Sequence, residues 1–448
     1  MDLGNLISYI FCLPFVGMLL SIAIFPLIAP AWWEKKKGYI VVLWSLLYMI
    51  PFAVKAGFRI MGEQLLEVIV GDYFTFIVLL LGLFCVAGNI NLKGNFIGSP
   101  RVNVIFLLTG TLLAGWIGTT GASMVMIRPL LRANRWRKRK MHIVIFFIFL
   151  VSNIGGCLTP IGDPPLLMGF TRGVPFFYSM SFLPVMGMNV IILLAVFFCL
   201  DYRAYRKDIA EGVKPGEEVM SDHMEKVRIN GAHNIIFLGM IIAAVILSGI
   251  LPATNVFSDG IPIYGKVELS FSALIEVIII LTAMFLSFKT TKHTIRAENH
   301  FSWGPIREVA VLFAGIFITM IPVLAMLQEK GAGLGLDKPW QMFWVTGAMS
   351  SFLDNTPTYL VFLTVAGTLG VGEGICTTVG VVPYVMLRAI SCGAVFMGAN
   401  TYIGNAPNFM VKAIAEENGV RMPSFFSYIW WSVRFLIPVF IIDTILFF

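Results

Sequence analysis

The chain has 448 residues, of which 58% are hydrophobic and only 13% charged, with a net charge of +7 and a mean hydropathy of +0.86. So much apolar surface cannot be hidden in a soluble domain of this length, and the composition reads as an all-α polytopic membrane protein in a lipid bilayer. The positive balance then belongs to basic cytoplasmic loops and not to a nucleic-acid partner. The six cysteines stand singly, which suggests neither a disulfide framework nor a metal site.

Apolar segments fall at about 6–29, 39–56, 65–89, 102–131, 142–170 and 178–200. A polar linker follows at 201–230. Six more segments come at 232–251, 269–288, 306–327, 339–369, 381–412 and 425–447. The first is too long for a signal-peptide core and lacks a basic start, so a retained transmembrane helix is expected.

Segments 102–131 and 339–369 are too long for one crossing of a ~30 Å core and too short for two. Each carries a small, polar patch near its middle, around Gly118-Thr119-Thr120 and Asp354-Asn355-Thr356. That pattern predicts re-entrant helical hairpins with these patches at their tips, because non-helical backbone is tolerated at depth only against protein or water.

Segments 142–170 and 381–412 contain one motif written twice. Thr159-Pro160-Ile161-Gly162-Asp163-Pro164-Pro165 and Thr401-Tyr402-Ile403-Gly404-Asn405-Ala406-Pro407 align at an offset of 242, with Asp163 opposite Asn405. Gly and Pro interrupt a helix there. Paired interruptions in two halves point to a transporter's binding site.

Loop charge tests the hairpins. If each returns to its starting side, twenty Lys and Arg residues lie on one face and five on the other, as cytoplasmic and external loops should. Each half then has five crossings, so the second enters from the opposite side. Two inverted repeats follow, each with five transmembrane helices, a re-entrant hairpin and a broken helix, with both termini external.

Hairpin tips and breaks should converge near the midplane. The polar residues gathered there are Ser152, Asn153, Thr159 and Asp163; Asn400, Thr401, Asn405 and Asn408; Thr119, Thr120 and Ser123; and Asp354, Asn355, Thr356 and Thr358. Their oxygens are hard ligands suited to Na⁺. Asp163 and Asp354 are intramembrane carboxylates that can alternate between a proton and a cation. No cofactor is needed beyond the transported Na⁺ and H⁺, and no enzyme is expected.

A blander reading stands beside this one. Asp163 before Pro164-Pro165 has the form of a helix N-cap with proline at N1, and Thr356-Pro357 repeats it. Arg388 lies inside an apolar segment, either as charge partner to Asp163 or Asp354 or as a structural or snorkelling residue. Arg128 poses the same question. Arg132–Lys140 reads as a topology signal. Glu276, Glu308 and Arg434 read as interfacial, and the five histidines as solvated loop residues.

At these residues the chain resembles the ion transporter superfamily, which includes NhaD-type sodium/proton antiporters, citrate–metal and divalent-anion symporters and arsenite permeases. The resembling stretches are 110–123, 152–165, 354–358 and 398–408, and the nearest branch is that of sodium:proton antiporters and CitMHS-like citrate transporters. The resemblance implies a bacterial inner-membrane homodimer working as an elevator. It maps a scaffold to 1–90 and 232–327 and a transport domain to 102–200 and 339–448. Divalent-anion symporters carry Ser-Asn-Thr at both tips. The added Asp354 carboxylate here would repel an anionic substrate, which favours Na⁺/H⁺ antiport. The alternative is a Na⁺- or H⁺-coupled symporter of citrate or another organic anion. An aspartyl hydrolase would leave the repeat unexplained.

Overall fold

The computed structural model describes residues 8–215, 228–253, 260–265, 267–299, 301–370 and 372–448. His223, Lys226, Lys266, His300 and part of the linker (216–227) lie outside the described residues. The fold is all-α. Among the described residues, strands form only three two-stranded ladders, Asn91–Lys93 with Arg228–Asn230, Gly260–Tyr264 with Val267–Ser270, and Ile375–Thr377 with Gly380–Val382.

The first half runs α1 (Leu13–Ile28), α2 (Pro30–Ala56), α3 (Phe58–Glu67) and α4 (Phe74–Gly88), the last two joined through a π-helical stretch, Val68–Tyr73. Then come α5 (Pro100–Ile117), α6 (Thr119–Ala133), α7 (Met141–Leu150), α8 (Pro164–Thr171) and α9 (Leu183–Ala210). The second half runs α10 (Asn234–Ile250), α11 (Phe271–Thr290), the short α12 (His293–Glu298), α13 (Gly304–Lys330), α14 (Pro339–Phe352), α15 (Asn355–Gly367), α16 (Tyr384–Met397), α17 (Ala406–Glu417) and α18 (Phe425–Phe447). Nine helical stretches among the described residues are long and apolar enough to cross a membrane.

Three expected boundaries move. The residues 31–38, expected as a loop, are helical, because α2 starts at Pro30 and carries Glu34 and Lys37 as an i,i+3 ion pair at 2.9 Å. Residues 57–64, expected between segments, are mostly α3. The linker expected to begin at 201 starts instead as the last ten residues of α9, where Asp201 and Asp208 are fully buried.

Both long odd segments are helical pairs. α5 starts at Pro100, with Ser99 Oγ accepting from the Val102 amide, and packs along α6. The chain reverses at Gly118, whose φ of +80° lies in the region that glycine adopts without strain. α14 and α15 form the second pair, reversing at Leu353-Asp354. α6 packs on α4 and α15 on α13, so each return arm faces the third long crossing of its own half.

The broken helices form the centre. Of the 141–158 stretch, 89% is buried inside the protein, against 28% for the first helix, so the first lies at the periphery. Element starts repeat at the motif's offset: α8 and α17 begin at Pro164 and Ala406, α9 and α18 at Leu183 and Phe425. Asn189, near the start of α9, meets Asp443, near the end of α18, and further along Phe146 touches both Phe197 of α9 and Phe435 of α18, an order of contacts that fits an antiparallel course.

Candidate ion-binding site

The two breaks have the same backbone. After α7 the chain makes a 3-10 turn (Ile154–Leu158), then extends at Thr159 (φ −142°, ψ 160°) and Asp163 (φ −144°, ψ 141°) before α8. After α16 it makes the turn Gly398–Asn400, then extends at Thr401 (φ −136°, ψ 167°) and Asn405 (φ −149°, ψ 140°) before α17. Each threonine hydroxyl donates to the carbonyl of a hairpin's first arm or its end, Thr159 to Gly115 and Thr401 to Ser351. These hydroxyls satisfy carbonyls that the ends of the hairpins' first arms would otherwise strand at depth.

The breaks cross on glycine. A Cβ on Gly162 would stand 2.2 Å from the Gly156 carbonyl oxygen, and one on Gly404 would stand 2.6 Å from that of Gly398. Gly155 is pressed as closely on α5, where a Cβ would meet the Thr111 carbonyl at 2.5 Å. With no side chain to hold them apart, tips and breaks reach one another.

Asp163 is the meeting point. Its side chain is fully buried and does not cap α8, although it occupies the N-cap position. Thr119 at the first tip donates its hydroxyl to Oδ1 at 2.9 Å. Asn355 at the second tip donates its amide to Oδ2 at 2.6 Å. Asn405, the repeat counterpart, donates to Oδ1 at 3.3 Å and also reaches the Ser152 carbonyl and Asn153 Oδ1. Three separate elements thus bring three neutral donors to a carboxylate carried by a fourth.

A second layer surrounds this. Asn153 donates to Asn408 Oδ1 at 2.7 Å, and Asn408 donates onward to the Gly398 and Thr401 carbonyls. Ser152 and Ser123 share a hydrogen bond of 2.9 Å. Asn400 donates to Ser351 Oγ, and its own Oδ1 is buried without a partner.

Other expected residues lie differently. Asp354 is half-buried and does cap: its carboxylate accepts from the Thr356 amide at 3.0 Å. Thr358 donates to the Asp354 carbonyl, so it serves the local turn. The Thr356 hydroxyl points to Asn355 Oδ1 at 3.4 Å, and Thr120 is half-buried at the first tip. Arg388 forms no ion pair with either aspartate. It sits four residues from the start of α16, about 6 Å along the axis, and its charge acts on Tyr178 and Cys392. Arg128 is half-buried on α6.

One charged cluster escaped the sequence. Arg137, in the run read as a topology signal, is fully buried and bonds Asp201 at 2.8 Å and Asp208 at 3.0 Å. His142, expected as a solvated loop residue, is buried and bonds Asp201 Oδ1 at 2.8 Å. Asn103 on α5 donates to Asp201 Oδ2, and Asn134 pairs with Asn103. Arg139 reaches Asp208 and Glu211. These bonds tie the first hairpin to α7 and α9.

The apolar crossings around a polar, broken-helix centre define a multi-pass membrane carrier of the secondary-transporter class. A family model described as "Putative citrate transport" (CitMHS_2) matches residues 4–448, and the chain belongs to that family. No curated protein matches the chain.

Proposed function

We propose that the protein exchanges Na⁺ for H⁺, with Asp163 the carboxylate that both cargoes share. The observation that carries this reading is the donor set of Asp163: three neutral groups, Thr119, Asn355 and Asn405, and among the described residues no cation. A carboxylate neutralised by a fixed arginine has nothing to exchange, whereas one held by neutral groups needs a mobile positive charge. Each donor also carries an oxygen. A turn of the hydroxyl or amides converts hydrogen-bond donors into hard ligands for Na⁺. Protonation removes the charge that holds the cation, so the two compete.

Asp354, close enough for its charge to act on Asp163, is the second carboxylate of this reading. Ser152, Asn153, Thr159, Asn400 and Thr401 shape the surrounding shell. The antiparallel course of α9 and α18 supports two inverted halves. In this reading 102–200 and 339–448 carry the site as a body against a scaffold of 1–90 and 232–327. The protein works as a homodimer in a bacterial inner membrane, with both termini external.

The family description favours a second reading, coupled transport of citrate. The central amides offer N–H groups, but among the described residues no arginine pairs with Asp163 or Asp354 to offset the charge of a polycarboxylate beside them. In that case bound cations must precede the anion.

Proton flux in proteoliposomes holding a pH gradient decides between them, on adding Na⁺, Li⁺, K⁺ or citrate. Na⁺/H⁺ exchange predicts dissipation by Na⁺ or Li⁺ alone, falling to background in Asp163→Asn, whose amide can neither take the proton nor neutralise the cation. Response only to citrate with Na⁺ sinks antiport and supports symport.

A further inference from the structure

A carboxylate outside the central site has the setting of a working group. Asp443, five residues from the end of the chain, is fully buried between α18 and α9. Its partner is the Asn189 amide, which donates to Oδ1 at 2.8 Å and to Oδ2 at 2.9 Å. The same Asn189 nitrogen donates to the Val185 carbonyl, and Asn189 Oδ1 is buried with no partner. Among the described residues, no lysine, arginine or histidine pairs with Asp443. The titratable groups that act electrostatically with it are the thiols of Cys157, in the first break, and Cys392, on α16; Arg388 acts on Cys392 in turn. Cys157 also feels Asp163, so one thiol stands within electrostatic range of both aspartates.

The repeat gives this carboxylate a counterpart. At the offset of 242, Asp443 corresponds to Asp201, and the helices that carry them start at the same offset. Asp201 is matched by Arg137, His142 and Asn103. Asp443 occupies the equivalent place in the second half with one amide. An isolated charge in a desolvated setting is costly by several kcal/mol, and a single N–H does not offset it. The unpartnered Asn189 Oδ1 is an acceptor on the very amide that Asp443 touches, open to an O–H.

We propose that Asp443, with Asn189, is a second proton-binding site of the transport cycle, set apart from the cargo site at Asp163. It rests on the proton coupling proposed above. Asp443 accepts and releases its proton as α9 and α18 change their packing, and this proton adds to the one exchanged at Asp163. Asn189 is a positioning residue.

Infrared difference spectra of the reconstituted full chain, recorded on a pH step in the absence of Na⁺, read carboxylic-acid C=O bands without requiring transport. Wild type is expected to show a pH-dependent band absent from Asp443→Asn and retained in Asp163→Asn, and shifted in frequency in Asn189→Leu. Asp443→Asn is expected to keep Na⁺-driven flux while displacing its pH profile, a change that a purely structural residue would not cause. If no band is lost in Asp443→Asn, or if its flux follows the wild-type profile at every pH, the proposal is overturned. A titrating band in a protein that moves no protons on adding Na⁺ would sink the antiport reading and leave this site standing.

Discussion

Asp163 and Asp201 are both fully buried carboxylates, and the protein holds them in opposite ways. Asp201 is met by the Arg137 guanidinium, His142 and Asn103. Asp163 is met by a threonine hydroxyl and two asparagine amides. The first arrangement neutralises its charge with groups that cannot leave. The second solvates the charge and leaves it uncompensated. Burial alone therefore does not separate the two; what differs is whether a fixed cation stands among the carboxylate's hydrogen-bond partners, and the proposed exchange site is the one without.

The contrast can be broken from the structural side first. Arg137→Leu removes the guanidinium shared by Asp201 and Asp208 and leaves two buried acids without it. Breaking a buried pair in this way costs about 3–5 kcal/mol. The expected result is a large drop in thermal stability and yield, with unchanged cation preference in the protein that does fold. Altered ion selectivity at full stability would erase the distinction between the two sites.

A smaller effect is expected at the central site. Thr119→Val keeps shape and loses one hydrogen bond, worth about 1 kcal/mol. Apparent Na⁺ affinity should fall about fivefold in titrations of flux, with little change in melting temperature. A stability loss with unchanged affinity would make Thr119 a packing residue.

The smallest effect belongs to the rim of the Asp201 cluster. The Arg139 guanidinium, helped by Lys138, holds the exposed Glu211 carboxyl below its usual range. A depressed carboxylate contributes stability above its ordinary pKa and loses it as pH falls through the lowered value. Glu211→Gln should therefore make melting slightly less sensitive to acidification below about the ordinary 4.5, a change near the edge of detection because the pair is solvent-screened. Equal acid sensitivity in the variant would remove Glu211 from the cluster.

The sequence made some of this legible and not the rest, for physical reasons. Helix breakers inside apolar stretches are rare, so the doubled Thr-x-Ile-Gly motif located both breaks, and tip polarity located Thr119 and Asn355. The aspartates were harder to tell apart. Asp163 and Asp354 both precede helix starts, but only Asp354 caps, because Asp163 is drawn away by donors distant in sequence. The Arg137 cluster stayed hidden because a basic run beside an apolar segment looks the same whether solvated or buried. Asp201 sits where hydropathy falls and resembles the first loop residue, although α9 continues for nine more. The match of Asp201 with Asp443 at offset 242 was the available signal. Arg388 misled in the other direction: it lies deep in an apolar run, but α16 begins only at Tyr384.

The crossing of Gly162 over Gly156 has a mechanical meaning. Where backbone touches backbone at distances that would exclude even a methyl group, there is no slack for one strand of the break to slide past the other. The crossing behaves as a rivet, and any loosening of the cluster around Asp163 has to come from relative travel of whole helices around it.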